Sequence, residues 1–120
     1  MANPNIVNVA NIYGNTNTLA VSTVAANLVA NPASSSTVYK INMLSVANIN
    51  TFASAVTVNV QINQSGTLTA IAQNVVVPAN ATLIIIGRDT PLYLTENTSI
   101  QMTAGANTSL AAITSYEQIS

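Results

Sequence analysis

The side chains able to do acid, base or nucleophilic chemistry are few. Asp89, Glu96, Glu117, Lys40 and Arg88 are all the charged residues of the 120-residue chain, and it has neither histidine nor cysteine. Without those two residue types the usual zinc, haem and iron–sulfur ligand sets are missing, and so are the Ser-His-Asp and Cys-His nucleophile systems. Two carboxylates can act as acid and base on a glycoside. Asp89 and Glu96, however, both fall in turn-like stretches, where solvation or bonding to the local backbone is the expected role. Lys40 beside a serine would be the minimum for a Ser-Lys dyad; a lone lysine in a strand is read instead as facing solvent and discouraging edge pairing. Asp89, Glu96 and the many asparagines offer hard oxygen ligands, but no spaced acidic calcium loop is present. The expectation is therefore no enzyme, no cofactor and no metal.

The same census bears on partners. Phosphate recognition rests on Lys and Arg, so two such residues make nucleic acid an unexpected ligand and exclude a basic membrane-surface helix. The N-terminal residues lack a secretory signal's basic and apolar regions, and no apolar run reaches the length of a transmembrane helix. Synthesis in a cytoplasm, without a membrane partner, is expected.

The elements that would position any site are short strands. Residues 1–5 read as an arm, and Ile6 to Tyr13 as a strand ended by a turn at Gly14-Asn15-Thr16-Asn17. Thr18 to Ala30 is ambiguous between strand and a short alanine-rich helix, and its β-branched content favours strand. Asn31 to Ser36 is a loop, and Thr37 to Ile49 a long strand. In Ala55 to Gln64, Val56, Val58, Val60 and Ile62 alternate with Thr57, Asn59, Gln61 and Asn63, the period of a strand with one face on a core and one on water. Gln64-Ser65-Gly66-Thr67 closes a hairpin onto Leu68 to Val77. Leu83-Ile84-Ile85-Ile86 is apolar on both faces, which predicts a strand covered on both sides. Pro91 to Thr95, Ile100 to Ala104 and Leu110 to Ile119 complete the set, with Glu96-Asn97-Thr98 as a turn. About eight strands with a turn signal every eight to twelve residues predict one all-β domain over residues 1–120, an antiparallel β-sandwich or jelly roll.

The exterior of that domain is unusual. Charged residues make up 4% of the chain and apolar ones 49%, against about 25% charged in an ordinary globular domain. The surface must be built from Asn, Thr, Ser, Gln and Ala, with little charge to hold copies apart. Strand windows such as Val56 to Ile62 and Leu83 to Ile86 carry neither charge nor proline and need covering. A homo-oligomer, dimer or trimer, is expected. Ile84 and Ile86 are candidate interface residues from the doubly apolar strand. Phe52, in the loop Asn48 to Ala53, is a third, as an aromatic either tucked under that loop or anchored in a partner.

Several stretches carry a family resemblance. Ala2-Asn3-Pro4-Asn5-Ile6-Val7-Asn8-Val9, Ser36-Thr37-Val38-Tyr39-Lys40-Ile41-Asn42, Val77-Pro78-Ala79-Asn80, Pro91-Leu92-Tyr93-Leu94 and the ending Ser115-Tyr116-Glu117-Gln118-Ile119-Ser120 make the chain resemble small virion structural proteins of tailed bacteriophages, notably those of marine cyanobacteria. The chain departs from that family at Glu96-Asn97-Thr98-Ser99, where an acidic-Gly-Asp turn is usual. The resemblance implies a β-sandwich virion component, either a decoration (cement) protein on the outside of the capsid or a tail or neck part. Its partners would be the major capsid protein or other virion proteins. A carbohydrate-binding host-attachment module is the reading from a different functional class.

Overall fold

The computed structural model describes residues 11–49, 54–87, 89–106 and 110–120. Among them are nine strands and no helix: β1 (Ile12–Val21), β2 (Ala26–Asn31), β3 (Val38–Asn48), β4 (Val56–Gln64), β5 (Thr67–Val77), β6 (Thr82–Ile86), β7 (Leu92–Leu94), β8 (Thr98–Ala104) and β9 (Leu110–Ile119). The first sheet has the order β1-β9-β3-β6, with β7 also on β3, and the second has the order β2-β8-β4-β5. All pairings are antiparallel. The chain thus crosses from one sheet to the other at every connection except β4 to β5 and β6 to β7, which is the winding of a jelly roll. β6 pairs with β3 at Leu44 to Ala47 and β7 with β3 at Tyr39 to Ile41, so the two are consecutive pieces of one edge strand, cut between Gly87 and Pro91.

The period-two stretches built the core as expected. Val56, Val58, Val60 and Ile62 of β4, Ile100 and Met102 of β8, Leu44 and Val46 of β3, and Leu110 and Ala112 of β9 all turn inward and are buried. Each such side chain contributes about 1.5–3 kcal/mol by leaving water. The β4–β5 hairpin closes through Ser65 and Gly66, both at positive φ (52° and 98°), as a right-twisting two-residue turn requires. The Gly66 amide donates to Asn63 Oδ1 at 2.8 Å.

Three expectations are corrected. Gly14-Asn15-Thr16-Asn17 is not a turn but the middle of β1, paired residue for residue with β9 from Thr114 to Glu117. Ten register pairs with a neighbouring strand outweigh the local turn preference of these residues. The predicted strand Ile6 to Tyr13 lies outside the described residues except for its end, which belongs to β1. The segment from Thr18 to Ala30 is strand, as favoured, but it is split by a bend at Ser22 to Ala25 into the end of β1 and β2.

The third correction concerns Leu83 to Ile86. The register of β6 on β3 slips between Leu44 and Ser45, so Leu83 faces Val46 and Ile86 faces Leu44. This bulge turns Leu83, Ile85 and Ile86 toward the core and leaves only Ile84 outside. Ile86, expected at an interface, is 4% exposed and belongs to the domain's own core.

Candidate functional site

The charged side chains of the described residues are scattered, apart from the cross-strand neighbours Lys40 and Glu117. Among the described residues no three acidic, histidine or cysteine side chains come together as a metal site would require. Glu96, expected to be solvated or to brace its own turn, is only 2% exposed, and its carboxylate reaches across to accept the Ser36 amide at 2.8 Å. It holds the β2–β3 loop, where Ser34 and Ser36 both have positive φ, against the turn before β8. Asn97 takes φ 59° in that turn, the conformation a glycine would favour and asparagine tolerates best among other residues. Glu117 lies on the outer face of β9 and accepts the Asn42 amide at 3.1 Å. Lys40 faces out from β3, a central strand of its sheet and not an edge. Asp89 is exposed in the break between β6 and β7.

Two buried asparagines, not foreseen from the sequence, hold the ends of the sandwich. Asn31 is the last residue of β2, and its Nδ2 donates to the carbonyls of Thr37 at 2.9 Å and Leu94 at 3.0 Å. Its Oδ1 accepts from the Ser35 and Thr37 hydroxyls. Asn48 is the last residue of β3, and its Nδ2 donates to the carbonyls of Ser54 at 2.9 Å and Val77 at 3.0 Å. Both close a Val-Ala-Asn triplet, Val29-Ala30-Asn31 and Val46-Ala47-Asn48. That triplet is the available sequence signal, since a donor at a strand end can satisfy the carbonyls left over where the ladder stops.

Above the Asn31 end lies a groove of about 210 Å³, lined by polar uncharged residues such as Asn27, Asn63, Asn97 and Ser99. Its rim is fixed by main-chain bonds from Ser65 N to Asn97 O at 3.0 Å and from Asn97 N to Pro32 O at 3.4 Å. The groove opens onto the outer face of the second sheet, where Asn27, Gln101 and Gln61 form one cross-strand row.

The outer face of the first sheet has a different character. Its cross-strand rows read Ile12-Ile119-Val38, Gly14-Glu117-Lys40-Tyr93, Thr16-Ser115-Met43, Thr18-Ile113-Ser45-Ile84 and Ala20-Ala111-Ala47-Thr82. Ile84 is 66% exposed, Ile12 55%, Tyr93 43% and Ile113 42%, while Ile119 and Val38 in the end row are buried; the remaining residues are small apart from Met43 and one charge of each sign. Of the interface residues expected from sequence, Ile84 stands on this face and Ile86 beneath it, while Phe52 lies outside the described residues. Tyr93, Ile113 and Met43 were not singled out from the sequence, because their place on a common face depends on the bulges at Ile41 to Met43 and at Leu44 to Ser45.

No family model matches the chain, and no curated protein is significantly similar to it. Solved structures do share the fold. A protein of Bacillus endospore appendages, described as a family of disulfide-linked pili, matches over 92% of this chain and 87% of its own, with TM-score 0.53 and 13% identity. A protein from the acid-stable capsid of a Helicobacter pylori bacteriophage matches over 93% and 90%, with TM-score 0.51 and 10% identity. A protein from an archaeal virus, described by its triple jelly roll and turret assembly, matches over 93% of this chain and 30% of its own, with TM-score 0.51 and 20% identity. The chain therefore has a jelly-roll fold of the kind found in viral structural proteins, and it has no cysteine with which to make the pilus type of link.

Proposed function

We propose that this chain is a non-enzymatic structural protein of a virion: a decoration (cement) protein that binds the outer surface of the capsid as a homo-oligomer and stabilises the head. The observation that carries this reading is the first sheet's outer face. It is rich in small residues and nearly without charge, with apolar side chains projecting from it, and a protein living as a free monomer gains nothing from such a surface. The jelly-roll fold, the resemblance to phage virion proteins and the lack of convergent reactive groups among the described residues point the same way. The major capsid protein is the expected partner. Many neutral contacts repeated by lattice symmetry give high avidity without any strong single site.

The test is to mix purified protein with capsids stripped of it and to measure bound mass and heat resistance. Saturable binding at a fixed ratio, with capsids that survive hotter treatment, is expected. Binding to isolated tails or necks in preference to capsids would move the protein to those parts. A second reading, attachment of the virion to host glycans, is supported by the groove beside Asn27, Asn63 and Asn97. Amides donate and accept as sugar hydroxyls do, and specific, saturable signals on a glycan array with no capsid binding would favour it.

A further inference from the structure

The rows on the outer face of the first sheet carry more information than their composition. They run across β1, β9 and β3 in that order, all but the Thr16-Ser115-Met43 and Ile12-Ile119-Val38 rows reaching the β6/β7 edge, and two of them are strongly uneven. In the row Gly14-Glu117-Lys40-Tyr93 the smallest residue stands at one edge and the largest at the other, with an acid and a base between them. In Thr18-Ile113-Ser45-Ile84 small and large residues alternate, again ending in the larger one on the β6/β7 side.

We propose that this face is a self-complementary dimer interface, in which a second copy of the chain packs on it about a twofold axis running parallel to the strands, along the seam between β9 and β3. The proposal deepens the homo-oligomer part of the function proposed above and rests on that reading. Such an axis lays every row on its own reverse. Tyr93 of one copy then falls on Gly14 of the other, and Lys40 falls on Glu117. One row along, Met43 meets Ser115. In the next, Ile84 meets Thr18 and Ile113 meets Ser45. The alanine row meets alanine and Thr82. In these four rows large residues land on small ones and each of the two charges lands on its opposite; only the end row sets large on large, Ile119 on Val38, and both are buried already within one copy. A twofold contact needs this, since the same patch must fit itself.

An axis perpendicular to the strands would instead reverse the order of the rows, setting the row that holds Ile113 and Ile84 against the row that holds Lys40 and Glu117 and leaving both charges without an opposite. The second sheet's outer face also carries exposed apolar residues, Leu68 and Val76, but both stand on its edge strand β5, and the middle of its rows is amide and hydroxyl groups that water satisfies already.

The size is adequate. A face four strands wide and about ten residues long covers about 650 Å² in projection, and side-chain relief brings it near the roughly 800 Å² per partner of a stable complex. Two aligned sheets pack about 10 Å apart with a modest twist between them, and the many Gly, Ala, Ser and Thr residues in the rows permit that approach.

The test uses the full chain. Light scattering over a concentration series is expected to give a dimer of the wild type. Gly14 and Tyr93 sit three strands apart in one copy, about 14 Å, too far for a disulfide within a chain. Because the chain has no cysteine, the double variant Gly14→Cys with Tyr93→Cys, treated with a bifunctional thiol reagent that reaches across the roughly 10 Å between packed sheets but not the roughly 14 Å within one copy, can cross-link only between copies and should run as a covalent dimer. Lys40→Glu and Glu117→Lys should each raise the dimer dissociation constant tenfold or more, as like charges are brought together, and the two combined should restore it. Circular dichroism of each variant shows whether the domain is folded. A dimer whose cysteines do not cross-link and whose charge swap does not rescue would overturn this geometry while leaving the proposed function standing. A folded monomer at every concentration would overturn both this inference and the homo-oligomer, and capsid binding, measured separately, would then decide whether a virion role survives.

Discussion

Asn31 offers the most quantitative check on how the sandwich is held at its end. In Asn31→Ala the carbonyls of Thr37 and Leu94 lose their side-chain donor, and Thr37 and Leu94 are both buried. The Ser35 and Thr37 hydroxyls are 2.9 Å apart and still have each other, so the loss falls on the carbonyls. A buried group left without a partner costs about 1–3 kcal/mol, which puts the variant about 3 kcal/mol below wild type, a large share of the roughly 5–15 kcal/mol that holds a domain together. With an unfolding entropy of about 2.1 cal/mol/K per residue, that corresponds to a fall of about 12 °C in Tm. Asn31→Asp has the same shape but sets an oxygen against both carbonyls, so near neutral pH it should be less stable than the alanine variant. Burial raises the carboxyl's folded pKa above its unfolded value of about 3.9, so the unfolded chain releases its proton first. Stability therefore falls as pH rises between the two values and recovers as pH is lowered toward 4. Urea unfolding followed by circular dichroism, at one fixed protein concentration, measures all three proteins. An alanine variant within about 1 kcal/mol of wild type, or an aspartate variant no worse than alanine near neutral pH, would refute the reasoning.

Two further predictions follow from local geometry. Gly14 has no heavy atom within 4 Å of where a Cβ would stand and is not among the positive-φ residues, so Gly14→Ala should stabilise the diluted monomer by about 0.5 kcal/mol in urea unfolding. If residues 14–17 formed a glycine turn, the same change would destabilise. The Tyr39 ring stacks on Tyr116 at 5.1 Å, and burial, with the neighbouring Tyr116 charge second, raises the Tyr39 phenol above its ordinary value. Because the folded phenol keeps its proton longer than the unfolded one, the associated stability is intact below about pH 10 and is lost as pH rises through the higher folded pKa. A phenolate absorbance titration should show a late-titrating component that disappears in Tyr39→Phe, and its persistence in that variant would refute the assignment.

How much of this was legible depended on whether a segment's own residues decided its state. β4 was plain because Val56 to Asn63 alternates without interruption and its partner β8 keeps register with it throughout, although β5 slips twice. β3, β8 and β9 were found for the same reason, and so was the Ser65-Gly66 turn. β1 was misread because Gly14-Asn15-Thr16-Asn17 has the composition of a turn, and only the presence of β9 beside it makes it a strand. The site was less legible than the fold. A strict alternation would have put Ile84 and Ile86 on the same face; one bulge opposite Leu44 and Ser45 separates them, sending Ile86 inward. Glu96 was read from its turn alone, whereas its role comes from the Ser36 amide sixty residues earlier in the chain.

The two outer faces explain how so uncharged a protein avoids indiscriminate sticking while keeping one surface for contact. The second sheet turns Thr57, Asn59, Gln61 and Asn63 of β4 outward, groups that water satisfies as well as any partner would, so burying them yields little net free energy. One edge of that sheet is β5, whose register slips twice against β4 and whose Asn74 stands at φ 51° with its amide on Asn59 Oδ1 at 2.7 Å. Such bulges twist an edge away from flat pairing, the protection that charge supplies elsewhere. The first sheet has no such amide layer, and its β6/β7 edge is broken into two short pieces that pair poorly with a further strand. Contact through the β5 and β6/β7 edges is thus discouraged, and contact through the face carrying Ile84, Ile113 and Tyr93 is not. A jelly roll with 4% charged residues directs association by where it leaves apolar side chains exposed to water. Leu68 and Val76 of the second sheet lie on its bulged strand β5, whereas Ile84, Ile113 and Tyr93 spread across the first sheet's face, and that makes this face the place where substitutions should change assembly without changing the fold.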